Sequence, residues 1–68
     1  MYDDVVAGFA SDYSFTTTDP AQASEVWAQA IDRGYEVELT TIDKPIRYYR
    51  VARVGYLARR GIKREVTR

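Results

Sequence analysis

The chain contains neither cysteine nor histidine. Without cysteine there is no disulfide framework and no thiolate zinc site. Without histidine as well, the Ser-His and Cys-His nucleophile pairs are excluded. A metal site would need carboxylates alone, and no EF-hand spacing is present. The glycines Gly8, Gly34, Gly55 and Gly61 stand isolated, so there is no phosphate-cradling loop and no nucleophile elbow. No catalytic residue, metal ligand or cofactor is assigned, and an enzyme is not expected. No apolar run approaches the roughly 20 residues needed to span a bilayer, so no membrane partner is expected. The start, "MYDDVVAGFA", lacks the basic n-region of a secretory signal, and a cytoplasmic location is the expectation.

What is present is one small domain's worth of chain, 68 residues with 46% apolar content. A chain of this length buries only about 60% of its unfolded surface, so its core is thin. It must fold on packing alone or gain stability from a partner or a second copy, and a homodimer is one expectation.

The net charge of zero hides two opposed halves. Residues 1–43 carry Asp3, Asp4, Asp12, Asp19, Glu25, Asp32, Glu36, Glu38 and Asp43 against Arg33 alone. Residues 44–68 carry Lys44, Arg47, Arg50, Arg53, Arg59, Arg60, Lys63, Arg64 and Arg68 against Glu65 alone. Such asymmetry points to a charged partner.

"TDPAQASEVWAQAIDRG" predicts a helix over 20–33. Asp19 is placed as N-cap, Pro20 at N1, and Gln22 where a capping box reaches back. Ala23, Val26, Trp27, Ala30 and Ile31 form the apolar stripe, and Gly34 supplies the left-handed stop. The period then drops to two. "YEVELTTI" reads as a half-buried strand, "DKP" as a turn, and Ile46 to Val54 as the return strand, with a bulge near Ala52–Arg53 or at Gly55 to reconcile Val51 with Val54. "VVAGFA" and "YSFTTT" read as an N-terminal hairpin. The segment 56–60 is either continued strand or one helical turn, with the strand slightly favoured, and a last strand is expected over 62–67.

The expected fold is α+β: one helix on an antiparallel sheet, in the order ββαβββ. The expected core is Val5, Val6, Phe9, Phe15, Val26, Trp27, Ala30, Ile31, Val37, Leu39, Val51, Val54 and Leu57.

From Phe15 to Gly55 the order of features resembles the SPOR domain, a βαββαβ module of bacterial envelope proteins. The points of likeness are an alanine-rich helix, "RGY" ahead of a strand, and "YYRVARVG", similar to that family's strand ending in Val-Gly. The resemblance implies periplasmic glycan binding. The sequence departs from the pattern in leaving room for no more than a turn where the second helix belongs, and an export signal ahead of it is not expected.

The segment 44–64 interleaves bases with tyrosines and holds no acid. Arginine and tyrosine are the residues of binding hot spots. The same pair grips single-stranded nucleic acid, by bidentate phosphate contacts and base stacking. The plain alternative is pairing of these bases with Glu36 and Glu38 across a hairpin. The favoured expectation is a non-enzymatic module that docks on another protein, in the manner of the small proteins by which phages and other mobile elements modulate a host protein. Nucleic-acid binding is the rival. The expected contact residues for either are Arg47, Tyr49, Arg50, Arg53, Tyr56, Arg59 and Arg60.

Overall fold

The computed structural model describes residues 2–59. Its central helix, α2, runs Pro20–Asp32 with Asp19 as N-cap, and the Asp19 carboxylate accepts from the Ala21 amide at 3.0 Å. The capping box does not close as expected. The Thr17 hydroxyl donates to Gln22 Oε1 and accepts from the Asp19 amide, so Thr17 takes the place Gln22 was assigned. At the other end Tyr35 N–H reaches Ala30 O and Gly34 N–H reaches Ile31 O, both at 3.0 Å. This is a Schellman closure, and Gly34 holds the left-handed φ of +93° that it requires.

Three strands form one antiparallel sheet in the order β1-β3-β2. They are β1, Ser14–Thr17; β2, Val37–Ile42; and β3, Tyr48–Arg53. Directly opposed residues share a face, so Phe15, Val51 and Leu39 line one side together. Helix α2 packs there through Ala23, Val26 and Ala30, closing a core with Val6, Phe9, Val37 and Val51. The other side of the sheet carries Ser14, Thr16, Glu38, Thr40, Ile42, Tyr48, Arg50 and Ala52, by the same alternation.

The α+β class stands, and the element order differs from the sequence expectation at both ends. The first expected strand is helical: α1, Asp3–Ala7, runs into a 3₁₀ turn at Gly8–Ala10. Val6 and Phe9 lie three residues apart, which stacks them on one helical face, and both are fully buried. Asp3 and Asp4 in the first turn suit the positive end of a helix. Gly8 lets the Tyr13 ring close over it, since a Cβ there would lie 3.0 Å from that ring. Of the segment 56–60, the described residues form the helical turn α3, Tyr56–Arg59, and not strand. Gly55, at φ +85°, turns the chain into it. The strand expected over 62–67 lies outside the described residues.

The expected bulge is absent. β2 and β3 keep one register from Val37↔Arg53 to Ile42↔Tyr48. Val54 needs no repair because it has left the strand, and it is 55% exposed instead of core. Trp27 and Ile31, also expected in the core, are 38% and 43% exposed. Ile42 and Ala52 are buried without having been expected to be.

Candidate docking surface

The described part of the basic-aromatic segment, 44–59, does not fold into one surface. Tyr49 faces α2 and packs against the core. Arg50 follows it in β3 and therefore projects to the opposite side, between Thr16 and Thr40. Arg53 stands opposite Val37 and lines a shallow cleft with Glu36, Gly34 and Val54. Arg47 lies in the β2–β3 loop, where its Nε donates to Asp43 at 2.8 Å. That hydrogen bond first, then the Asp43 charge, with Tyr49 adding, hold the Arg47 guanidinium above its ordinary pKa. Arg59 donates to Asp12 at 2.9 Å and to the Val54 carbonyl at 2.7 Å. Arg60 lies outside the described residues. Arg50 and Tyr56 are the expected contact residues that do meet, in a cleft of about 110 Å³ shared with Glu38, Thr40 and Leu57.

Apart from the local Arg47–Asp43 pair, the described charge pairing runs between segments distant in sequence. Arg33 pairs with Asp3, and Arg59 pairs with Asp12. The expected cross-strand pairing of Glu36 and Glu38 with arginines does not form, because the register sets Glu38 opposite Ala52. Among the described residues Glu25, Asp32, Glu36 and Glu38 enter no ion pair. Of the described carboxylates that enter no ion pair, Asp4 lies on α1 and Asp19 caps α2, while these four sit on α2 and around β2.

The surface that sequence reasoning missed lies there. Among the described residues β2 is an edge strand. The Val54 amide donates to Glu36 O, which makes the even-numbered residues of β2 the ones bonded to β3. The amides and carbonyls of Val37, Leu39 and Thr41 then point away from β3, toward the free edge. Trp27 leans over this edge from α2, and its indole N–H donates to Val37 O at 3.2 Å. Ile31 lies one turn further along the helix, on the same flank as Trp27. An indole at 38% exposure, an isoleucine at 43% and an unpaired strand edge thus form one continuous flank.

Among the described residues no three His, Cys, Asp or Glu side chains gather as metal ligands, and no helix is long and apolar enough to cross a membrane. No family model matches the chain, and neither a curated protein nor a solved structure does.

Proposed function

We propose that the chain is a non-enzymatic module that docks on another protein, and that the docking face is the α2–β2 flank. The observation that carries this reading is the exposure of Trp27 and Ile31 side by side at the place where the sheet ends. Large aromatic anchors beside small polar residues are the usual centre of a protein interface. In a domain with so thin a core, leaving an indole and an isoleucine in water forgoes burial that folding could have used.

The sequence-based contact set is kept only in part. Arg50 and Tyr56 share one cleft, on the opposite side of the sheet and away from this flank. Arg47 and Arg59 are engaged by Asp43 and Asp12. A nucleic-acid binder gathers its bases on one face and neutralises several phosphates with them. Arginines divided between two sheet faces and a loop do not favour that reading.

The test is capture of a native partner from host extract by the intact chain, repeated with two variants of confirmed fold. Trp27→Ala with Ile31→Ser should abolish capture, because losing an aromatic anchor typically costs about 2 kcal/mol or more. Arg50→Glu with Arg53→Glu should leave most of it. The reverse order of effects would return the docking face to the basic segment.

A further inference from the structure

We infer that the free edge of β2 receives an extended segment of the partner as an added strand, and that this segment alternates apolar with basic residues. The inference rests on the α2–β2 flank being the docking face and adds to it the partner's chemistry. Each half of the alternation comes from a different side of the edge.

The backbone groups of Leu39 and Thr41 that point away from β3 offer the hydrogen bonds an incoming strand needs. Side chains of that strand alternate between the two faces of the sheet. Those on the α2 side meet the exposed indole of Trp27 and half-buried Leu39. Those on the other side meet Glu36 and Glu38, which are exposed and enter no ion pair among the described residues. The first set of positions is apolar and the second basic.

The same carboxylates decide against a second copy of this chain. Pairing β2 with β2 would bring Glu36 and Glu38 of both copies to one seam. Charged residues flanking an edge are how proteins keep their own edges apart, and here they leave the edge selective for a strand of opposite sign.

The probe is a fluorescein-labelled octapeptide of alternating lysine and valine, titrated against the intact chain at low salt and followed by anisotropy. Two controls accompany it: the glutamate–valine peptide, and a lysine–valine peptide N-methylated at alternate amides. The lysine–valine peptide should bind saturably, slow amide exchange at Leu39 and Thr41, and weaken about tenfold on N-methylation as ladder hydrogen bonds are lost. The glutamate–valine peptide should not bind. Glu36→Lys with Glu38→Lys should invert the preference between the two peptides. The proposal is overturned by no saturable binding up to about 1 mM, or by equal affinity for the N-methylated peptide, which would mean charge attraction without a ladder. It is equally overturned by sedimentation showing a dimer that Thr41→Pro dissolves. The N-methylated peptide works on the unaltered protein, so the test stands even if a variant fails to fold. Peptide failure alongside loss of capture in the Trp27 variant would remove strand addition and leave the docking face in place.

Discussion

Trp27 is the residue at which helical periodicity and burial part company. Ala23, Val26, Trp27, Ala30 and Ile31 do form one stripe, about 140° wide at 3.6 residues per turn. Ala23, Val26 and Ala30 occupy one side of it and are fully buried. Trp27 and Ile31 occupy one flank, and a flank is buried only if the sheet extends beneath it. The sheet ends at β2, and nothing in the spacing of apolar residues reports where a sheet ends. Val54 has the same lesson in reverse. It was assigned to the core as a strand residue, yet it belongs to the turn at Gly55, and its 55% exposure follows. The indole of Trp27 therefore acts at the rim, through its bond to Val37 O. Trp27→Phe keeps the apolar ring and removes the donor. It should lower stability by no more than about 1 kcal/mol in urea denaturation, because water replaces the lost partner at an exposed edge.

The elements were legible wherever local chemistry fixes both ends. Asp19, Pro20 and Gly34 bracket α2, and its observed span departs from the expected one by a single residue. Gly34→Ala should destabilise by about 1–2 kcal/mol, the cost of a Cβ in left-handed backbone. Open space around that position means no steric clash adds to it. Thermal unfolding followed by circular dichroism measures it, and an unchanged midpoint would contradict the Schellman closure described. The ends of the chain were read less well for a stated reason. "VVAGFA" is β-branched enough to suggest strand, but Val6 and Phe9 need only a three-residue spacing to share a helical face, and both find core there. In a segment this short, packing against α2 outweighs intrinsic propensity. At α3 the same contest ended in a helical turn, with Gly55 bending the backbone and Arg59 tying back to the Val54 carbonyl.

At the scale of the whole molecule the division into an acidic and a basic half was plain in the sequence, and its meaning was not. A basic segment looks like a surface only until strand alternation sends Tyr49 and Arg50 to opposite sides of the sheet. The fold then brings Asp3 to Arg33 and Asp12 to Arg59, contacts no local pattern announces. Each such exposed pair is worth about 0–1 kcal/mol. Their larger consequence is to use up bases while Glu36 and Glu38, beside the β2 edge, enter no ion pair among the described residues. The proposed docking face therefore lies on the α2–β2 flank and not on the basic segment. Hydrogen exchange of the chain bound to its captured partner tests this most directly. Slowed exchange at Leu39, Thr41 and the Trp27 indole, with the backbone of 47–59 unchanged, is the predicted footprint. Protection confined to 47–59, with the β2 edge exchanging as it does in the free chain, would contradict it.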